Sequence, residues 1–406
     1  MGLIENLKLY SEGVRISAEK KELFTSFMSK GFPTTKDEEW KYTSLKKIVT
    51  KEYTIENKGE IIDSSTVEKY SLGFENRIVF SDGKLISSPN IKGVSINGFS
   101  NFGSNTTDSI LQLNKALAQN GFTISVDKNT VLESPIEILF FATTENNFSQ
   151  YRNLISVGDN TEIKFVERIQ TLNNSNSMVN HFTQINCAKN TKVEYNKIQN
   201  NTTQSSLIDT VNVYQEQDST CDINTLIFGG SFTRNNLNFE QNGSNCESNM
   251  NGVSILDDNQ LADNHTFVDH KNANCRSNEM YKGVYLGHSK GVFNGKIMVR
   301  PDAQKIDAFQ SNNNLLLSDN STIDSKPQLE IYADDVKCSH GCTIGQLDEK
   351  ALFYMRSRGI GIEEAKAVLT YAFASEAIEN ISVEQVKLLA QKLLAQKLKV
   401  DLDFSL

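Results

Sequence analysis

The sequence lacks the features that mark several common classes of protein. No apolar stretch in its 406 residues approaches the roughly 20 residues that a membrane helix needs, so we expect no membrane span. The chain carries 41 Lys and Arg against 50 Asp and Glu, and a net charge of −9 without a basic run makes nucleic acid an unfavourable partner. The segment after Met1 has no basic region followed by an apolar one, so we expect no secretory signal.

Cysteine is scarce, and the glycine motifs that bind nucleotides are absent. Six cysteines in a chain of this length are too sparse for a disulfide framework. We therefore expect reduced thiols, mostly buried as small apolar side chains, and a cytoplasmic location. Neither GxxxxGK[ST] nor GxGxxG occurs, so we expect this chain to bind no nucleotide. The cysteines are Cys187, Cys221, Cys246, Cys275, Cys338 and Cys342.

Residues 96–340 show the period of strands rather than that of helices. Apolar residues alternate in short runs bounded by Asn, Gly, Ser or Asp, and the runs recur about every 10–15 residues. Asparagine is frequent here, and it favours turns and tolerates left-handed backbone. This spacing fits a sandwich, a barrel or a β-solenoid, and periodicity alone leaves the three open. The alternating positions are Ile163/Phe165, Val193/Tyr195, Ile223/Thr225/Ile227 and Leu237/Phe239.

Residues 1–95 have a mixed pattern. Ser17 can cap a helix whose apolar positions recur at helical spacing, and Gly31 followed by Pro33 should end it. The polar segment that follows carries the only tryptophan, Trp40, which we expect to pack the N-terminal domain.

Helices are expected again near the C-terminus. Asp348 can cap one helix, and a second begins near Ile362. Ser382 with Gln385 forms the capping-box pattern of a third helix. The apolar positions of the second and third helices cover wide faces that three helices cannot bury among themselves, so some should dock elsewhere.

One long segment resembles a known family. Residues 327–364, PQLEIYADDVKCSHGCTIGQLDEKALFYMRSRGIGIEE, resemble the shared signature of the SufB/SufD family, the scaffold subunits of the SUF iron–sulfur cluster assembly system. Residues 293–338 and the segment PTTKDEEWKYTSL at residues 33–45 resemble the same family. The GCTIGQLD stretch is more similar to the SufD branch, because the SufB branch typically has Glu at the position of Gly341. Resemblance over this length is far more specific than a short motif.

The resemblance implies both a fold and a function. The fold would be mainly β, with a right-handed parallel β-helix core at residues 96–340. A mixed N-terminal domain, residues 1–95, and an α-helical C-terminal domain, residues 341–406, would flank it. The function would be that of a non-catalytic scaffold subunit that supports cluster assembly and iron acquisition.

The resemblance also implies two protein partners and one cargo. A SufB-type paralogue would pair through the β-helix, and a SufC-type ABC ATPase would bind the C-terminal helices. The isolated subunit could also form a homodimer. The cargo would be an iron–sulfur cluster, shared transiently at the interface with the SufB-type partner.

The segment Cys338-Ser339-His340-Gly341-Cys342 concentrates candidate cluster ligands. Iron clusters take thiolate and sometimes imidazole ligands. In an extended strand, alternate residues point to one face, so Cys338, His340 and Cys342 could align; the bland alternative is a strand end with packed thiols. The resemblance gives His340 a role at the cluster site, with the main thiolate supplied by the partner. Cys338 matches a family cysteine that could ligate or pack, whereas Cys342 stands where the family usually has a small residue.

The C-terminal helices carry the predicted ATPase contacts. Two cations near the turn at Gly359 either compensate the charge of a helix C-terminus or contact the partner. Docking is favoured because the flanking helices have surplus apolar surface. The predicted docking residues are Phe353, Tyr354, Arg356, Arg358, Leu369 and Phe373.

A second class of function stays open, a β-solenoid glycan hydrolase that acts alone with carboxylates along one face. The acids lie among turn residues, and no pair of them has a supporting sequence context. Four further histidines are scattered without a local partner, so we expect surface or core roles for them. The acids are Asp222, Asp257, Asp258 and Asp263, and the histidines are His181, His265, His270 and His288.

Overall fold

Two long β-sheets, with helices at each end of the chain, make up the protein. The computed structural model describes residues 2–13, 17–55, 61–100, 102–103, 106–118 and 120–399. The helices are α1 (Leu3–Gly13), α2 (Ala18–Lys30), α3 (Lys46–Val49), α4 (Ser64–Tyr70), α5 (Ser109–Leu117), α6 (Glu349–Ser357), α7 (Ile362–Ile378) and α8 (Glu384–Leu398), with a 3-10 helix at Glu38–Trp40.

In chain order the strands lie between α4 and α6, with α5 between the third and fourth strands. They are β1 (Arg77–Ser81), β2 (Lys84–Ser87), β3 (Val94–Gly98), β4 (Phe122–Val126), β5 (Ile136–Ala142), β6 (Asn147–Val157), β7 (Glu162–Thr171), β8 (Ser177–Cys187), β9 (Lys192–Gln199), β10 (Ser205–Gln215), β11 (Thr220–Ile227), β12 (Phe232–Gln241), β13 (Glu247–Leu256), β14 (Leu261–His270), β15 (Arg276–Tyr285), β16 (Lys290–Val299), β17 (Ile306–Leu316), β18 (Thr322–Ile331) and β19 (Val336–Gly345). Within the described residues, no helix is long and apolar enough to cross a membrane.

Successive strands alternate between the two sheets. One sheet has the order β2-β1-β5-β7-β9-β11-β13-β15-β17-β19, and the other has the order β3-β4-β6-β8-β10-β12-β14-β16-β18. The pairs β1–β2 and β3–β4 are antiparallel, whereas the strands that follow pair in parallel, such as β17 with β19 and β16 with β18. Each coil therefore gives one strand to each sheet, as in a parallel β-solenoid. The expected β-helix core is confirmed, and the sandwich and the barrel are excluded.

The alternating apolar residues lie in the space between the two sheets. They stack coil upon coil into one apolar cluster, because a single coil cannot bury its inward face alone. Thr225 and Ile227 are buried as well. The predicted inward positions are thus confirmed, and those in the cluster are Ile163, Phe165, Val193, Tyr195, Ile223, Leu237 and Phe239.

Asparagine is frequent because one turn of the coil repeats a left-handed backbone. Asn tolerates positive φ better than residues other than Gly. The side chains stack as well: Nδ2 of Asn160 donates to Oδ1 of Asn129, and Nδ2 of Asn190 donates to Oδ1 of Asn160, both at 2.9 Å. The positions with positive φ in this column are Asn129, Asn160, Asn190, Asp218, Asn245, Asn274 and Lys305.

Helices α1, α2, α3 and α5 pack on the outer face of the nine-stranded sheet, whereas α4 packs against β1 and β5 of the other sheet. The Ser17 side chain accepts a hydrogen bond from the Lys20 amide at the start of α2, and Gly31, with φ of 74°, ends the helix. Both predicted boundaries are confirmed. Phe27 of α2 and Phe148 of β6 belong to the apolar cluster that joins the helices to the sheet.

The C-terminal helices α7 and α8 pack on the outer face of the other sheet. Ile378 of α7 and Leu394 of α8 share an apolar cluster with Val253 and Ile255 of β13. The side chain of Asp348 accepts a hydrogen bond from the Lys350 amide at the start of α6, as predicted. None of the α6 residues is buried. The apolar surface of the C-terminal helices is therefore partly covered by the solenoid, through α7 and α8, and partly exposed to solvent, on α6.

The predicted capping box at Ser382 is wrong. The residue before α8 is Val383, which makes no side-chain cap, and the Ser382 hydroxyl donates instead to the Glu194 carboxylate of β9. The Ser382 amide donates to Oε1 of the same Glu194 at 3.1 Å. A local pattern could not reveal this, because the carboxylate comes from a strand 188 residues away.

The domain division at residues 95 and 340 stays a prediction. Strands β1, β2 and β3 precede residue 96 and already join the two sheets, and β19 continues to Gly345. The solenoid sheets thus reach beyond both proposed limits.

The interior also holds polar side chains, and Glu279 of β15 is fully buried among them. Its Oε2 accepts hydrogen bonds from Oγ1 of Thr266 at 2.6 Å and from Nε2 of Gln310 at 3.0 Å. Burial disfavours the carboxylate and raises the pKa of Glu279 to about 7, although both hydrogen bonds oppose this.

We expect replacement of Asn190 to separate the backbone contribution from the side-chain contribution. Asn190→Ala should lower the free energy of unfolding by about 1–2 kcal/mol, because alanine lacks the short polar side chain that lets Asn tolerate a left-handed backbone and loses the hydrogen bond to Asn160. Asn190→Gly loses the same hydrogen bond, but glycine has no Cβ and adopts a positive φ without strain. It should therefore be more stable than Asn190→Ala. Denaturant midpoints measure both, and equal midpoints would contradict the backbone explanation.

Glu279 should make the stability depend on pH. Its folded-state pKa of about 7 lies above the ordinary 4.5, so the folded protein holds this proton more tightly than the unfolded chain. Its contribution to stability is therefore full below pH 4.5 and declines as pH rises to 7. Glu279→Gln should remove this decline. Its free energy of unfolding should therefore rise relative to that of the wild type by about 3 kcal/mol between pH 4.5 and 8, at about 1.36 kcal/mol per pKa unit. Denaturation at both pH values tests this, with Glu133→Gln at an exposed carboxyl as control.

Candidate functional site

The last coil of the solenoid forms an open end. Among the described residues, strands β18 and β19 are the terminal strands of their sheets, and each pairs with one neighbour, β18 with β16 and β19 with β17. The other edge of each strand presents free backbone groups, which is the usual template for pairing with another chain. The side chains of β19 are exposed or half-buried, unlike those of the strands below it.

This end brings together Cys338, His340 and Cys342 on one face of β19. Their register partners on β17 are Ala308, Gln310 and Asn312, all of which are buried. Parallel partners in register point the same way, so the three side chains continue the inward face of the solenoid. They are exposed or half-buried because no further coil covers them.

The three side chains differ in availability. Cys338 is half-buried against an interior apolar cluster, and burial, followed by the charge of Asp307, raises the pKa of its thiol. Cys342 is exposed, and its Sγ donates to Oγ of Ser325 on β18 at 3.2 Å. His340 is exposed, so its ring nitrogens are open to a partner or metal. The geometry thus offers an accessible imidazole and an accessible thiol beside a packed one.

A second group of possible metal ligands lies deep inside the solenoid. Nδ1 of His181 is 3.2 Å from Oδ1 of Asp209, and Nε2 is 3.7 Å from Oε2 of Glu167. The donor atoms of these three buried residues lie within 4.8 Å of one another. No motif marks them, because they come from three different strands. Apart from the presence of these residue types, nothing in the sequence predicts that they meet.

Hydrogen bonds inside this group already engage the ligand atoms. Nζ of Lys197 lies 2.9 Å from Oδ2 of Asp209, and the hydroxyl of Tyr195 donates to Oε2 of Glu167 at 2.6 Å. Burial alone would raise the pKa of Asp209, but Lys197 and His181 outweigh it and lower this pKa to about 2. A lysine ammonium against the carboxylate favours an ion-pair network over a metal site.

The other histidines and cysteines have structural positions. Nε2 of His265 lies 2.9 Å from Oδ1 of Asp263, and Nδ1 lies 3.2 Å from Oε2 of Glu39. His270 is buried beside Ser277, and burial lowers its pKa to about 4. His288 is exposed on a turn. The predicted burial of four cysteines is confirmed, and these are Cys187, Cys221, Cys246 and Cys275.

The segment at residues 33–45 is held by an aromatic and ionic contact. The Arg234 guanidinium lies 3.9 Å from the ring centroid of Trp40, and its Nη1 is 2.7 Å from Oδ2 of Asp263. Trp40 is buried, as expected, and it packs against the nine-stranded sheet as well as the N-terminal helices. The segment thus ties the N-terminal helices to the solenoid.

The four candidate acids of the hydrolase alternative are not brought together. Asp222 lies between the inward residues Cys221 and Ile223, on the outer face of the ten-stranded sheet. Asp263 is paired with Arg234 on the outer face of the other sheet. Asp257 and Asp258 lie at the turn between β13 and β14.

Helix α6 presents aromatic side chains to solvent. Phe353 is 75% exposed and Tyr354 is 59% exposed, and the guanidinium of Arg358 lies 5.2 Å from the Tyr354 ring centroid. Arg356 is also exposed. On α7, Leu369 and Phe373 are half-buried.

The Phe373 side chain already has partners within the chain. Nζ of Lys282 on β15 lies 4.5 Å from its ring centroid, and Phe373 packs against the apolar cluster between the C-terminal helices and the sheet. Its aromatic surface is therefore shared with the solenoid.

Known proteins are similar to this chain over most of its length. Residues 140–373 match the family described as SUF system FeS cluster assembly, SufBD core domain, and residues 8–75 match the SufBD protein N-terminal region. The iron-sulfur cluster assembly protein SufD of Escherichia coli is 31% identical over 385 residues, covering 91% of this chain and 90% of that protein. An iron-sulfur cluster assembly SufBD family protein of Synechocystis is 26% identical over 380 residues, covering 86% and 84%.

A plant protein is similar over the same length. The chloroplastic protein ABCI7 of Arabidopsis thaliana is 28% identical over 383 residues, covering 87% of this chain and 80% of that protein. The family matches and these relatives support a role in iron–sulfur cluster assembly. The chain belongs to the SufB/SufD family of the SUF iron–sulfur cluster assembly system and is most like SufD.

Proposed function

We propose that the chain is a non-catalytic scaffold subunit of a SUF complex and that His340 helps to hold an iron–sulfur cluster at the open end of the solenoid. The observation that carries this proposal is the face of β19, where an exposed imidazole lies between two thiol side chains. Imidazole and thiolate are ligands that suit iron–sulfur clusters. The cluster is the cargo of the complex.

His340 is the proposed ligand of this chain, and Cys338 is a second one. The raised pKa of the Cys338 thiol disfavours the thiolate that iron requires, so docking of a partner would have to change its surroundings. A SufB-type paralogue would supply the remaining ligands. Cys342, bonded to Ser325, is not required.

The SufB-type paralogue is proposed to pair with the edges of β18 and β19. Large apolar side chains are exposed around this end, and a group of such side chains often marks a surface that another protein covers. The unpaired backbone supports addition of strands from another solenoid. In isolation, the same edges could pair two copies of this chain. The exposed side chains are Phe309, Ile331, Tyr332 and Ile344.

The SufC-type ATPase is proposed to dock on the C-terminal helices, chiefly on α6. Helix α6 has no buried residue, and its exposed Phe353 and Tyr354, with the exposed Arg358 that follows the helix, join apolar area to positive charge. Aromatic and Arg side chains often anchor interfaces. Leu369 and Phe373 stay in the proposal as residues that support this surface. Any nucleotide would be bound by the partner.

The hydrolase alternative has no supporting observation. Glycosidases need two carboxyl groups about 5–10 Å apart across a bond. Asp222 and Asp263 lie on opposite outer faces, and Asp263 is neutralised by Arg234. A cytoplasmic location remains part of the proposal, since all six cysteines are unpaired.

Replacing exposed aromatic residues of α6 with acidic ones should weaken ATPase binding. Phe353→Glu with Tyr354→Glu should reduce the affinity at least ten-fold, because two exposed aromatic anchors become anions, while folding is retained. The measurement is calorimetric titration with the ATPase, with circular dichroism to verify the fold. Leu388→Glu on α8, where the side chain is 44% exposed, is the matched control. Unchanged affinity in the double variant would exclude α6 as the contact.

Loss of the imidazole should reduce the cluster without breaking the complex. His340→Ala should assemble with both partners and carry clearly less iron after anaerobic reconstitution, because alanine offers no donor atom. Iron content and visible absorbance per complex are the readouts. Cys342→Ala should match the wild type, and Cys338→Ser should lie between them. A His340→Ala complex that carries full cluster would remove His340 from the ligands.

A further inference from the structure

A column of polar side chains runs through the solenoid to His340. In the ten-stranded sheet, Glu279 of β15 is in register with Gln310 of β17, and Gln310 is in register with His340 of β19. Neighbouring parallel strands lie about 4.8 Å apart and point partner side chains to the same face. Glu279 and Gln310 are completely buried, whereas His340 is exposed at the open end.

The amide nitrogen of Gln310 has a fixed partner. Nε2 of Gln310 donates to Oε2 of Glu279 at 3.0 Å, and Thr266 donates to the same oxygen, which marks it as an acceptor. Gly295 on the opposite sheet leaves room for the amide, since a Cβ there would lie 2.2 Å from Nε2 of Gln310. Because Oε2 of Glu279 is an acceptor, the NH₂ end of the Gln310 amide faces Glu279.

The amide oxygen of Gln310 is left without a partner. Among the described residues, Oε1 of Gln310 is buried and accepts no hydrogen bond. An unpaired buried carbonyl is costly, so such an atom usually has a hydrogen-bond donor as partner. Because the two ends of an amide point apart, Oε1 is directed away from Glu279. The next inward side chain of the column on that side is His340.

We propose that Gln310 is the positioning residue of His340: when the exposed imidazole turns inward, its Nδ1–H donates a hydrogen bond to the unpaired Oε1 of Gln310. Nδ1 is the ring nitrogen nearer to the backbone and so nearer to a neighbour in the same column. The bond holds the ring inward and leaves Nε2 unprotonated at its tip, facing the end of the solenoid. Glu279 acts one step further back by keeping the Gln310 amide in this orientation.

This arrangement would suit a histidine that binds iron. A neutral imidazole donates through one nitrogen and offers the other as a ligand. Histidine ligands usually donate their second N–H to a carbonyl or carboxylate, and loss of that partner weakens metal binding about 10–100-fold. The consequence for the cluster rests on the proposed function, but the hydrogen bond itself does not.

The tautomer of His340 in the iron-free protein tests the proposal. We expect long-range ¹H–¹⁵N spectra of the ¹⁵N-histidine-labelled chain to show His340 mainly as the Nδ1–H form, whereas an exposed imidazole in water favours Nε2–H. His340→Asn assigns the signal. Gln310→Met keeps the length of the side chain, removes the acceptor and should return His340 to the Nε2–H form. The other four histidines report whether the fold is retained.

Two further variants sharpen the test. Asn312→Leu removes an equally buried amide that is in register with Cys342, and it should leave the His340 tautomer unchanged. Glu279→Met removes the acceptor that orients Gln310, so both ends of the amide can face His340 and the Nδ1–H fraction should fall. If Gln310→Met does not fold, the result with Glu279→Met decides.

The outcomes separate this proposal from the proposed function. His340 in the Nε2–H form in the wild type, or an Nδ1–H form that persists in Gln310→Met, would overturn it. In the reconstituted complex, Gln310→Met should bind iron about ten-fold more weakly. If His340→Ala retains full cluster while the tautomer responds as described, the ligand role fails and the positioning contact stands.

Discussion

In-register stacking of parallel coils is the constraint on which the rest of this structure depends. Each strand satisfies its backbone groups on the neighbouring coil, and each inward side chain is covered by the one above it. The rule holds until β18 and β19, after which the described part of the chain adds no coil. The same residues that would be core in any earlier coil, Cys338, His340 and Cys342, are therefore presented at the surface, with backbone edges ready to pair.

The outer faces are divided between the two ends of the chain. Helices α1, α2 and α5 cover part of the nine-stranded sheet, and α7 and α8 cover part of the ten-stranded sheet. These contacts bury Trp40 and the ion pair of Arg234 with Asp263, so the charges there stabilise the fold and are not free for chemistry. The surfaces proposed for partners are the open end of the solenoid and α6, in which no side chain is buried.

The polar interior sets the register as well as the chemistry of the site. A shift of one residue would turn every inward side chain of a strand outward. Such a shift would separate Lys197 from Asp209 and leave buried charges unpaired, which is costly. One alignment of the coils is therefore favoured. The column from Glu279 through Gln310 to His340 exists only in that alignment, so the order of the core extends to the exposed imidazole.

The sequence by itself determined the class of fold, the ends of several helices and the family. Alternation marked the strands, Ser17, Gly31 and Asp348 marked helix ends, and the 327–364 signature marked the family, because these depend on near neighbours along the chain. Tertiary structure decided the contacts that need distant residues. The Ser382 hydroxyl donates to Glu194 of β9 instead of capping α8, and His181 of β8 contacts Asp209 of the neighbouring strand β10. Gln310 came to lie behind His340 because coil length sets which residues stack, and no local pattern encodes that length.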